Sequence, residues 1–110
     1  MEKQELSCSK RRDIFEREKK MLCAIVQVIE LCAVFKDSNM FYFYIIILKA
    51  MVQSLRSNGC IDASTDNTAH YYVFKIACDY AEGKFLAVHW RLNQLKSFIQ
   101  SEDFGNDDGC

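Results

Sequence analysis

A chain of 110 residues that is 50% apolar is long enough for one domain with one core and too apolar to stay disordered. Its formal net charge of −1 excludes both a strongly basic, nucleic-acid-binding composition and an acidic, solvating one. With no proline and four glycines it has few places to break. Long helices with short connections fit this, and a β-sandwich, which needs a turn about every 8–12 residues, does not.

The first predicted element is a helix over 9–36, with Ser7 or Ser9 available to cap it. Its first half is charged. Asp13–Arg17 and Glu16–Lys20 stand at i,i+4 in the favourable acid-first order. Leu22, Ile25, Ile29 and Cys32 then make one helical stripe. Val26, Val28, Leu31 and Val34 add apolar surface beside it, so the second half is expected to be buried on more than one side. The β-branched residues at 24–29 leave a buried strand as the competing reading. No secretory core interrupts the charged start, which points to the cytoplasm or nucleus, where thiols stay reduced. The six cysteines (Cys8, Cys23, Cys32, Cys60, Cys78, Cys110) therefore read as free thiols. Their even number also permits a disulfide framework, which a chain this apolar does not need.

Asp37-Ser38-Asn39 punctuates the chain, and a second helix is expected over 39–57. Phe41, Tyr44, Leu48, Met51 and Leu55 form its seam. Tyr42, Phe43, Ile45, Ile46 and Ile47 lie off the seam, so this helix is expected at the centre of the fold. Ser57-Asn58-Gly59 is a good stop. The apolar runs 22–35 and 40–52 fall short of the roughly 20 residues a membrane span requires, and Glu30 and Lys49 interrupt them. No transmembrane span is expected.

Residues 60–67 read as a loop, being rich in Asp, Ser, Thr and Asn. The third segment is 68–100. Tyr71, Phe74, Cys78, Ala81, Phe85, Val88, Leu92, Leu95 and Ile99 follow strict 3,4 alternation. Gly83 lies inside this pattern. One glycine costs about 1 kcal/mol in a helix interior, and the unbroken phase favours a continuous helix over a turn. The tail 101–110 is acidic and expected to be disordered. The predicted architecture is all-α: one domain over 1–100, a compact bundle of three long helices, or four if the chain turns at Gly83.

Motifs for chemistry are scarce. Lys10, Arg11, Arg12, Arg17, Lys19 and Lys20 are a candidate phosphate-binding face or nuclear address. Residues 1–20 carry seven basic and five acidic side chains, so the cluster reads first as a solvated helix start. The aromatic run 41–44 reads as core or interface rather than a base-stacking platform, since no basic residue flanks it closely. His70 and His89 have no cysteine or histidine partners at zinc spacing, so no metal is expected. No nucleophile elbow, phosphate loop or dinucleotide fingerprint occurs, so neither an enzyme nor a cofactor is expected.

The expected function is therefore a non-enzymatic interaction or assembly subunit that meets a protein partner, or itself, through helix faces. Phe85, Val88, Leu92, Leu95 and Ile99 are the expected anchors, with Trp90 at the rim. The alternative is a nucleic-acid-associated nuclear protein using the basic start of helix one. Peripheral membrane association through the 22–52 apolar surface is a third reading.

Overall fold

In a computed structural model residues 8–105 are described, without the side chains of Cys8, Ser9 and Arg11. Among the described residues the chain forms four helices: α1 Cys8–Val34, α2 Ser38–Ser57, α3 Ala63–Ala81 and α4 Phe85–Gln100. Ser7 and the Ser9 side chain, the expected caps of α1, lie outside the described residues.

The same device ends each of the first three helices. Lys36 (φ 56°), Gly59 (φ 77°) and Gly83 (φ 76°) take the left-handed conformation just past the helix. Each donates its N–H three residues back, to Ala33, Arg56 and Tyr80. The residue after each donates five back, to Cys32, Leu55 and Asp79. These paired bonds form the Schellman stop, which satisfies carbonyls the helix leaves open. The next helix starts almost at once. Asp37 Oδ1 accepts from Met40 N–H at 3.2 Å, and Asp62 Oδ1 accepts from Thr65 N–H at 2.8 Å. Lys84, at the start of α4, makes no side-chain cap.

Two expectations are corrected here. The segment 68–100 is not one helix: Gly83 turns the chain, and its two turn bonds replace the helical ones that would have run through it. The stretch 60–67 is not wholly loop, because Asp62 caps α3 and its turn-forming neighbours supply the first turn.

Connections this short make neighbouring helices antiparallel. Phe41 at the start of α2 stacks on Tyr80 at the end of α3, with ring centroids 3.8 Å apart. Glu30, late in α1, meets His89, early in α4, at 3.1 Å. Each helix therefore packs on the next, and α4 closes back on α1. One end of the bundle carries the 35–37 and 82–84 turns, and the other carries the 58–62 turn.

The core is one seam per helix: Leu22, Val26, Ile29 and Ala33; Phe41, Ile45, Leu48, Val52 and Leu55; Ala69, Val73, Ile76 and Tyr80; Val88, Leu92, Leu95 and Ile99. Tyr80 also meets Tyr42 and Phe85 edge-on, and its hydroxyl lies 3.0 Å from Ser38 Oγ. Arg91 Nε donates to the buried Asp79 carboxylate at 2.8 Å, joining α3 to α4. Helix α2 is not central. It sits in the ring like the others and leaves Phe43 and Ile46 in solvent, because each helix has two neighbours and an outer face.

The expectation of disorder from Ser101 does not hold over 101–105. Phe104 is buried, stacks on Phe15 of α1 and meets Phe98 edge-on. The Gly105 carbonyl accepts from Asp62 N–H at 3.1 Å and from the Thr65 hydroxyl at 2.9 Å. This segment closes the 58–62 end of the bundle and ties it to the charged half of α1. Residues 106–110 lie outside the described residues. No helix is long and apolar enough to cross a membrane among the described residues.

Candidate interaction surface

Four of the expected anchors are not available to a partner. Val88, Leu92, Leu95 and Ile99 point into the bundle and are at most 1% exposed. These four form a burying face, but the turn at Gly83 folds it onto this chain's own helices. Phe85 is half-buried against Tyr80, with the Lys36 ammonium 5.4 Å from its ring. Trp90 alone stands out, 57% exposed, with the Arg91 guanidinium 5.6 Å from its ring.

The turn also separates two halves of one sequence pattern. Tyr71, Phe74, Cys78 and Ala81 continue the phase of the α4 seam, yet they occupy the outer side of α3. Tyr71 and Phe74 are more than half exposed, and the buried side of α3 is Ala69, Val73, Ile76 and Tyr80.

The candidate basic residues do not converge. Lys10 and Arg17 share one side of α1, Arg12 and Lys19 another, and Lys20 falls between them, as spacings of seven and three dictate. Lys19 pairs with Glu16 at 3.4 Å and lies over the Phe15 ring at 5.3 Å. The Arg11 side chain lies outside the described residues. Lys19, Lys20 and Lys96 line an open groove of about 390 Å³ between α1 and α4, together with Glu16, Cys23 and Gln27. A second open groove of about 500 Å³, between α2 and α3, holds Lys49, Arg56, Asp66 and His70. There His70 Nε2 is 3.2 Å from Asp66 Oδ1. No three His, Cys, Asp or Glu side chains gather as a metal site among the described residues.

Cys23, Cys32 and Cys78 are free thiols. Burial pushes the Cys23 thiol above its ordinary range, against the pull of Lys96, Gln100 and Lys19. Burial does the same to Cys32, helped by the Asp37 charge. Thiols shifted this way are weak nucleophiles at neutral pH.

The surface feature that sequence reasoning missed is the outer side of the α1–α2 pair. Glu30 and Cys23 mark the edge of α1 that faces α4. Met21, Ala24, Val28 and Leu31, with Phe35 in the turn that follows, stand at spacings of 3, 4, 3 and 4 on the outer side of α1, Ala24 also lining the groove toward α4. On α2, Tyr42 and Lys49 mark the α3 edge. Met40, Phe43, Ile47 and Ala50 line the α1-facing flank at the same spacings. Phe35 is 76% exposed, Leu31 56% and Phe43 52%, and no charged residue interrupts either stripe. The signal lay in the apolar residues left over beside each core seam.

Compared with protein families, with curated proteins and with solved structures, the chain matches none.

Proposed function

We propose that this chain is a non-enzymatic assembly subunit that docks a protein partner on its outer helix faces. The observation that carries the reading is the charge-free apolar face across α1 and α2. Large apolar side chains that leave water recover free energy in proportion to the area covered, and a contiguous patch of this kind marks a contact surface. Ile46 (65% exposed), Phe74 (64%) and Leu86 (87%) extend apolar surface to the neighbouring helices and to the 35–37 and 82–84 end.

The charge pattern favours a protein over a bilayer. Interfacial helices rim their apolar face with lysine and arginine to hold anionic lipid. Here Lys84 is matched by Glu82 at 2.8 Å and Arg91 by Asp79 at 2.8 Å, while the Lys36 ammonium lies 5.4 Å from the Phe85 ring. Two of these three cations are therefore held by a carboxylate rather than offered to lipid.

The test is the size of the particle the chain occupies in extracts of its own cell. The expected result is a particle heavier than the 12.8 kDa chain. The double variant Phe43→Glu, Ile46→Glu should move it to monomer size with its helical circular dichroism intact. A wild-type chain that migrates as a monomer in the extract overturns the reading.

A further inference from the structure

We infer that the occupant of the α1–α2 face is a second copy of this chain, packed with α1 on α1 and α2 on α2, each pair antiparallel. The inference rests on the docking reading above and names the partner.

Three observations carry it. The first is area. Taking about 180 Å² for a large apolar side chain, the exposed fractions of Met21, Leu31, Phe35, Met40 and Phe43 leave roughly 500 Å² bare. Ala24, Ala50 and the half-buried Val28 and Ile47 bring the face toward the roughly 800 Å² per partner of a standard interface.

The second is charge. In a two-fold contact every residue near the axis meets its own kind, so any charge there meets a like charge. The α1 stripe has none from Met21 to Phe35 and the α2 stripe none from Met40 to Ala50, the charge at the border being Lys20, which lines a groove with Ala24. The same absence leaves nothing for a different partner's charges to read.

The third is shape. Each stripe carries a bulky residue on the 35–37 side of its middle and an alanine on the other side, with Met21 beyond the alanine on α1. On α1, Leu31 and Ala24 stand on either side of Val28. On α2, Phe43 and Ala50 stand on either side of Ile47. A two-fold axis lying in the interface, across the helices at Val28 and Ile47, sets Leu31 over the partner copy's alanine at 24 and Phe43 over its alanine at 50. Large side chains then fill the space left by small ones, as close packing requires. The other two-fold, with its axis along the helices, preserves height and sets bulky on bulky.

The test is the mass of the purified full chain by light scattering and sedimentation at micromolar concentration. The wild type should be a dimer. Leu31→Glu and Ala24→Lys are each at exposed positions, so helical circular dichroism should be unchanged in both. Each should weaken the dimer by roughly a hundredfold or more, because a lone charge is buried at the contact. The double variant Leu31→Glu, Ala24→Lys sets the new charges opposite each other across the two-fold and should restore much of the loss. Within one chain these positions are seven apart and form no i,i+4 pair, so restoration reports the antiparallel contact. A monomeric wild type, a dimer indifferent to Leu31→Glu, or a double variant no better than the singles overturns the proposal. A recombinant monomer that still belongs to a larger particle in its own cell overturns the second copy while leaving the docking reading standing.

Discussion

Replacing Gly83 with alanine reads the turn between α3 and α4 directly, because the two descriptions of this position give opposite signs. In the four-helix fold Gly83 has φ 76°, and a Cβ added there meets no atom within 4 Å. No clash contributes, so the cost is the backbone's alone. A left-handed conformation costs an L-residue about 1–2 kcal/mol relative to glycine. For a domain near 100 residues that lowers Tm by roughly 5–10 °C. If 68–100 were one helix, the same change would replace an interior glycine with the best helix former and stabilise by about 1 kcal/mol. Thermal and urea unfolding followed by circular dichroism separates the two outcomes. A rise in Tm for Gly83→Ala refutes the Schellman turn and the fold built on it. Gly59→Ala, with φ 77° and equally open surroundings, is the matched control and should fall by a similar amount.

Two further outcomes follow from the C-terminal segment and the thiols. Phe104→Ala removes a buried ring that joins α1, α4 and the tail, and should cost about 3 kcal/mol in urea unfolding, a loss no disordered tail would show. Burial raises the Cys23 pKa, so its alkylation should be slower in the native than in the unfolded chain at mildly alkaline pH, with the rate profile displaced to higher pH. Peptide mapping of the alkylated chain reads this, and a native profile displaced to lower pH would contradict the stated cause. By linkage, a raised folded-state pKa contributes stability that is present below the thiol's unfolded value and is lost as pH climbs through the folded one.

The first two helices were legible because their signals are local. Residues 9–36 and 39–57 were expected, and Cys8–Val34 and Ser38–Ser57 are found, with Asp37 punctuating through its carboxylate and Gly59 stopping because it has no Cβ to oppose a positive φ. The buried face of α4 was also legible, since Val88, Leu92, Leu95 and Ile99 keep one helical period. Gly83 was not. A tolerated interior glycine and a Schellman glycine differ by a kcal/mol or two, and the deciding bonds, from Gly83 to Tyr80 and from Lys84 to Asp79, exist only once the chain has turned. Lys36 shows the converse: nothing about a lysine announces a left-handed residue, yet it serves the same stop. Phe104 was hidden by its acidic neighbours, because one aromatic residue in a polar tail is invisible to periodicity. The candidate surface was illegible for a related reason. Helices α1 and α2 carry apolar residues on both sides, and composition alone does not say which side the other helices cover.

The inversion of α3 is the sharpest case, and two adjacent residues test it. Its outer side carries Tyr71 and Phe74, which are bulkier than the Ala69 and Val73 of its inner side, so hydrophobicity by itself points the helix the wrong way. What holds it in its observed orientation is the inner set acting together. Tyr80 stacks on Phe41, Ile76 is fully buried, Asp79 engages Arg91 and Thr65 reaches the Gly105 carbonyl. Rotating the helix to bury Phe74 would break all four at once. Val73→Ala should therefore cost about 2 kcal/mol, as a buried truncation that leaves a cavity. Phe74→Ala, at a side chain 64% exposed, should change stability by no more than about 0.5–1 kcal/mol although it removes a far larger group. Urea unfolding of the two variants at a concentration where the chain is monomeric gives the comparison. A larger loss at Phe74 than at Val73 would mean that the bulky side faces inward, and would refute the orientation of α3.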